Sequence, residues 1–137
     1  MSNTTINQPM LHKKILLIDD DSDDAEIFVE AVESLQKQII CRTSNNPLKS
    51  LEELKTGENL PDLVFVDFSM PALNGGEFIE KMKSVPLLQS IPIILMSSHA
   101  VEVLCELTQK FEGVTYMTKP NSFQELVIKL GDVITRM

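Results

Sequence analysis

Four short apolar runs in this chain each stop at a residue able to hold a cation or an anionic group. Ile15-Leu16-Leu17-Ile18 ends in Asp19-Asp20-Asp21, and Leu63-Val64-Phe65-Val66 ends in Asp67. Ile91-Pro92-Ile93-Ile94-Leu95-Met96 ends in Ser97, and Val114-Thr115-Tyr116-Met117-Thr118 ends in Lys119. Carboxylates that converge repel one another and are relieved by a shared divalent cation. Hard oxygen ligands with open water positions suit Mg2+. Asp67 has no like-charged neighbour until Glu77, so it could act as a ligand or as a nucleophile. Beside it, a lysine would neutralise a phosphoryl group and a serine hydroxyl would donate to one of its oxygens. Asp21, Asp23 and Asp24 instead fit a solvated acidic helix start, with Asp21 capping.

That chemistry requires the four ends to share one edge. The apolar runs are continuous rather than alternating, which argues for parallel strands covered on both faces. Strands are expected at 14–18, 39–41, 63–66, 91–96 and 114–117. Between them, Ser22 can cap a helix with Ile27, Phe28, Ala31, Val32 and Leu35 at helical spacing. Asn46-Pro47 opens a second helix, closed by Gly57, with Leu48, Leu51 and Leu54 as its stripe. A third spans 77–83 with Phe78, Ile79 and Met82 inward, and a fourth spans 99–110 with Val101, Leu104 and Leu107. Ser122 and Glu125 make a capping-box pattern before a fifth, buried through Phe123, Leu126, Val127 and Leu130. The fold class is therefore α/β, a doubly wound five-stranded parallel sheet of order 2-1-3-4-5. In such a sheet ligands sit beyond the carboxyl ends of the strands where the winding reverses, between strands one and three. Those strands end in Asp19-Asp20 and Asp67.

Bulk properties narrow the function. With 137 residues, one domain can bury about 70% of its unfolded surface. A net charge of −8 argues against direct nucleic-acid binding, which needs a basic face. No run reaches the ~18 apolar residues of a membrane span, and the polar leader lacks the apolar core of a signal peptide. Cys41 and Cys105 have no CxxC or histidine partner nearby and fit reduced thiols in a cytoplasmic protein. We expect a flexible tail over 1–12 and one domain over 13–137, with no second domain to provide output.

Taken together, the motifs resemble those of response-regulator receiver domains. Residues 62–75, Asp-Leu-Val-Phe-Val-Asp-Phe-Ser-Met-Pro-Ala-Leu-Asn-Gly, are similar to the phosphoacceptor segment. Ile-Leu-Leu-Ile-Asp-Asp-Asp (15–21), Ile-Pro-Ile-Ile-Leu-Met-Ser-Ser (91–98) and Tyr-Met-Thr-Lys-Pro (116–120) supply the other motifs in order. The resemblance spans residues 13–136 and implies the flavodoxin-like fold of the CheY type. It also implies roles: Asp67 as phosphoacceptor, Asp20 and Asp67 as Mg2+ ligands with the Ser69 backbone carbonyl, and Asp19 as an indirect ligand or one acting through water. Ser97 matches the switch hydroxyl, Lys119 the active-site lysine and Tyr116 the aromatic switch. Lys119-Pro120 is a candidate cis peptide, as in the family, although the sequence alone gives only the modest X-Pro tendency.

The function so implied is that of a single-domain response regulator in a two-component phosphorelay. Asp67 takes a phosphoryl group from a phosphohistidine with Mg2+, and slow autodephosphorylation is the sole hydrolytic activity expected. Ser97 then moves toward the acyl phosphate and Tyr116 rotates inward, changing a surface of the fourth helix, fifth strand and fifth helix. The partners implied are a histidine kinase or histidine phosphotransfer protein and a downstream protein target, with that same surface open to a homodimer.

Three rival readings are weaker. A receiver-like docking module that is never phosphorylated would not need the intact Asp67, acidic pair, Ser97 and Lys119. A haloacid-dehalogenase-type phosphatase is partly matched by Asp19-Asp20-Asp21-Ser22, but beyond Lys119 only Glu125 and Asp132 could supply its later acidic pair. Gly75-Gly76-Glu77-Phe78 spells a diguanylate-cyclase signature by coincidence, inside a receiver-like loop and helix. Some positions depart from the usual pattern: Ser97 stands where threonine is more frequent, keeping the donor, and His99, two positions beyond it, is either an exposed helix-start histidine or a group that sets the dephosphorylation rate. The acyl-phosphate half-life of a His99→Ala variant decides between them: a changed half-life assigns the rate-setting role, an unchanged one the helix start.

Overall fold

The computed structural model describes residues 13–98 and 101–135; the expected tail and His99 lie outside them. The apolar runs become β1 (Lys13–Ile18), β2 (Ile39–Ser44), β3 (Leu63–Asp67), β4 (Ile93–Ser97) and β5 (Val114–Thr118). The helices are α1 (Ser22–Ser34), α2 (Pro47–Lys55), α3 (Gly75–Lys83), α4 (Val101–Gln109) and α5 (Phe123–Thr135), with a 3-10 turn at Pro86–Leu88. All strand pairings are parallel and the order is β2-β1-β3-β4-β5, as expected.

Side chains alternate across a strand, and here both faces are buried by helices. Leu16, Ile18, Val64, Val66, Ile93 and Leu95 pack with Leu51 and Leu54 of α2, Phe78, Ile79 and Met82 of α3 and Leu104 of α4. Ile15, Leu17, Leu63, Phe65, Ile94, Met96 and Met117 pack with Phe28, Ala31 and Val32 of α1 and Leu126, Leu130 and Ile134 of α5. Phe28 meets Phe65 edge to face at 4.9 Å, an arrangement favoured by the ring quadrupoles. At the amino edge, the Lys83 amine donates to the carbonyls of Gln89 and Glu112, both at 2.7 Å.

Several local expectations need correction. Ser22 gives way to Asp21, the other cap expected: Asp21 is the N-cap of α1, its carboxylate accepting from the Asp23 and Asp24 N–H groups. Ile27, Leu48 and Phe123 are exposed at 44%, 49% and 43%; α2 buries Pro47, Ser50, Leu51 and Leu54 instead. Helical spacing alone does not say where an apolar stripe ends, and these residues lie on its flank. α3 starts at Gly75 because Asn74 and Glu77 form a reciprocal capping box, a signal overlooked in the sequence. The Lys119–Pro120 peptide is trans, since no cis bond occurs among the described residues; the ordinary trans preference of an X–Pro bond, about 0.5–1 kcal/mol, prevails.

Gly75 sets how closely α3 approaches the end of β3. A Cβ there would lie 2.6 Å from Leu95 Cδ1 and 2.9 Å from both the Asp67 carbonyl oxygen and Phe68 Cα. Leu95 could shift, but the backbone could not do so without moving Asp67. Gly75→Ala should therefore destabilise the fold by about 1–3 kcal/mol, the usual penalty for overpacking, although alanine is the better helix former. Urea unfolding measures this; a variant as stable as wild type would contradict the close approach.

Candidate functional site

The β-ladder continues one residue past the strand ends and so fixes the polar residues there. Asp19 N–H donates to the Ser44 carbonyl at 3.0 Å, Phe68 N–H to Met96 at 2.8 Å and Lys119 N–H to Ser97 at 2.9 Å. Asp67 itself lies in register with Met96. Alternation places Asp67 on the same side as Leu63 and Phe65, toward α1 and α5. Ser97 follows Ile93 and Leu95 on the side of α3 and α4. The two residues thus face opposite helical layers at the same edge.

Three of the four buried polar residues among those described belong to this edge. Asp19 is 3% exposed, Asp67 5% and Ser97 2%, while Asp20 and Ser69 are exposed. Asp19, Asp20 and Asp67 bring carboxylate oxygens within 4.8 Å of one another. That set fits a hard divalent cation: oxygen donors, one exposed side and excess negative charge. Lys119 Nζ lies 3.1 Å from Asp24 Oδ2, 3.3 Å from Asp67 Oδ1 and 3.5 Å from Asp19 Oδ2. Tyr116 is 37% exposed, and Cys105 of α4 beside it raises its phenol above the ordinary range.

The electrostatics follow from burial. Desolvation raises the Asp19 carboxyl from 3.8 to about 6, against the Asp21 N–H and Lys119, with Asp67 and Asp24 adding to the rise. The Asp21 N–H reaches Asp19 Oδ1 at 3.0 Å. Asp67 is also raised by burial, opposed by Lys119 and by the Ser69 N–H. Burial alone would lower Lys119, yet Asp24, Asp19 and Asp67 hold its amine well above the ordinary lysine range. The ammonium is therefore permanent, and the buried carboxylates lack full compensation.

The sequence reading brought Asp19, Asp20, Asp67, Ser69, Ser97 and Lys119 to one edge, and all of them lie there; Tyr116 lies at the neighbouring surface. It missed Asp24, placed among solvated first-turn acids. The available signal was that Asp24, Ile27, Phe28 and Ala31 follow the i, i+3, i+4, i+7 spacing of one helix face.

Fold and edge together define a doubly wound α/β domain with an acidic, cation-competent switch-point site. The response regulator receiver domain model matches residues 15–131, and the chain belongs to that family. It is 31% identical over 117 residues to the sensor histidine kinase CheAY of Helicobacter pylori, covering 82% of this chain and 14% of that protein. It is 33% identical over 132 residues to hybrid signal transduction histidine kinase D of Dictyostelium discoideum, covering 94% and 8%. The chain thus spans a small part of either relative. Among solved structures, the phosphorylated cyanobacterial phytochrome response regulator RcpA superposes with a TM-score of 0.80 at 23% identity, over 90% of this chain and 91% of that one. The chemotaxis response regulator CheY4 of Vibrio cholerae gives 0.74 at 16% identity, over 90% and 99%. These two likenesses concern the fold.

A carboxyl whose folded pKa is raised favours the folded state below its unfolded value and loses that contribution as pH rises through the folded value. For Asp19 the loss falls between about pH 4 and pH 6. Relative to wild type, Asp19→Asn should therefore gain stability as pH rises through about 6 in a chelator, and millimolar Mg2+ should cancel that gain by stabilising the wild type. Denaturant unfolding with and without Mg2+ measures both shifts. An advantage of the variant that shrinks with rising pH would contradict the burial argument.

Proposed function

We propose that this receiver domain, over residues 13–137, takes a phosphoryl group onto Asp67 from the phosphohistidine of a histidine kinase or histidine phosphotransfer protein. The observation that carries the reading is the placement of a buried Asp67 carboxylate 3.3 Å from the Lys119 amine and within reach of Asp19 and Asp20. An Asp67 oxygen bonds to phosphorus as the P–N bond breaks. The departing imidazole nitrogen keeps the electron pair and takes a proton from solvent.

Asp20, Asp67 and the Ser69 carbonyl would hold Mg2+, with Asp19 contributing through water. When bound, the ion would neutralise charge on the phosphoryl oxygens. Lys119 supplies a second fixed positive charge, so the protein's contribution is positioning and electrostatics. Hydrolysis of the acyl phosphate by water returns the resting state slowly, without turnover of an external substrate.

Phosphorylation adds oxygens that Ser97 can hydrogen-bond, drawing it toward Asp67 across the sheet edge. Tyr116, now exposed beside Cys105, then rotates inward, altering the surface of α4, β5 and α5. Ile128 of α5, 65% exposed, supports that surface as one that meets a downstream protein, or a second copy as a homodimer. No helix among the described residues is long and apolar enough to cross a membrane, which fits work in the cytoplasm.

Incubation with acetyl phosphate and Mg2+ should add one phosphoryl group to the wild type, read by intact mass. Asp67→Asn should take up none, and Lys119→Ala should slow uptake by about 10²-fold, the scale for losing one transition-state charge contact. A wild type that stays unmodified, or an Asp67→Asn variant modified equally, overturns the proposal.

A further inference from the structure

The shortest ion pair at the site joins Lys119 to a residue with no part in the transfer described above. Asp24 Oδ2 lies 3.1 Å from the Lys119 amine, nearer than Asp67 or Asp19, and accepts a hydrogen bond from it. Asp24 is held in the first turn of α1, where its N–H donates to the Asp21 cap at 3.2 Å and the helix dipole favours a negative side chain. Its position is therefore built by the fold and does not depend on a mobile loop. Its side chain is 46% exposed, against 25% for Lys119, so the pair sits at the outer wall of the site. Ile27, Phe28, Phe123 and Leu126 line the pocket beyond it.

We propose that Asp24 is a positioning residue that restrains Lys119 in the resting state and thereby slows phosphoryl uptake at Asp67. The inference rests on Asp67 being the acceptor. For the amine to neutralise a transferring phosphoryl group, it must direct its N–H groups toward Asp67 and loosen its bond to Asp24. An interaction stronger in the ground state than in the transition state raises the barrier. Asp24 also adds a fourth carboxylate to Asp19, Asp20 and Asp67, which opposes the approach of an anionic donor. These two effects are separable, because only the first requires Lys119.

A half-exposed ion pair contributes up to about 1 kcal/mol, so removing it should accelerate uptake by about two- to fivefold. The experiment measures initial rates of phosphorylation by acetyl phosphate and by phosphoramidate, with saturating Mg2+, using acid-quenched intact mass. Asp24→Asn should be faster than wild type with both donors, at low and at high salt, and Asp24→Glu should restore much of the restraint. In a Lys119→Met background the same Asp24→Asn change should give no acceleration beyond what salt removes. An Asp24→Asn rate equal to or below wild type overturns the inference, as does an acceleration that persists undiminished at high salt without Lys119. In either case, phosphorylation of the wild type keeps the acceptor reading intact; a wild type that is never phosphorylated overturns both.

Discussion

The structure depends on one ammonium group held among carboxylates that the fold has partly stripped of water. Asp19 and Asp67 are nearly inaccessible, and their burial would be untenable as an isolated pair of like charges. Lys119 makes it tolerable without making it comfortable: both carboxyls remain raised despite the nearby cation. The edge is left short of positive charge, and the clustered carboxylates fit a divalent ion that would make up the shortage. A fully neutralised cluster would be more stable and chemically inert.

The parallel sheet also decides which helical layer each of these residues faces. β1, β3 and β5 deliver Asp19, Asp67 and Lys119 toward the layer of α1 and α5, whereas β4 delivers Ser97 toward α3 and α4. Asp67 thus faces one helical layer and the Ser97 hydroxyl the other. Tyr116 lies beside Cys105, where α4 meets β5.

Much of this was legible because the signals were of the strongest kind. Continuous Ile, Leu and Val runs with abrupt polar ends define buried parallel strands, and strand topology then dictates where those ends meet. What escaped was set by contacts between distant segments. Helical spacing puts Asp24 on the face of α1 that turns inward, but its pairing with Lys119 depends on how α1 is rotated against β1 and β5. Leu48 and Phe123 carry apolar side chains at helical spacing, yet they fall on the outer flank of their helices. The Lys119–Pro120 geometry was carried over from the family resemblance, and the backbone here takes the trans form. The Asn74–Glu77 cap was present in the sequence and was passed over in favour of the loop motif around it.

The two glycines at the start of α3 expose a conflict between local and global demands. Glycine is among the residues least inclined to be helical, yet α3 opens with two of them. Gly75 faces the backbone carrying Asp67, and at Gly76 a Cβ would press on Leu107 of α4 at 3.2 Å. Here local frustration is tolerated so that the strand end and two helices can close on one another. The string Gly-Gly-Glu-Phe therefore carries a different meaning from the enzyme signature it spells. It is clearance followed by a capping glutamate and a core phenylalanine. Steric necessity alone can write another family's motif, and in this chain it has.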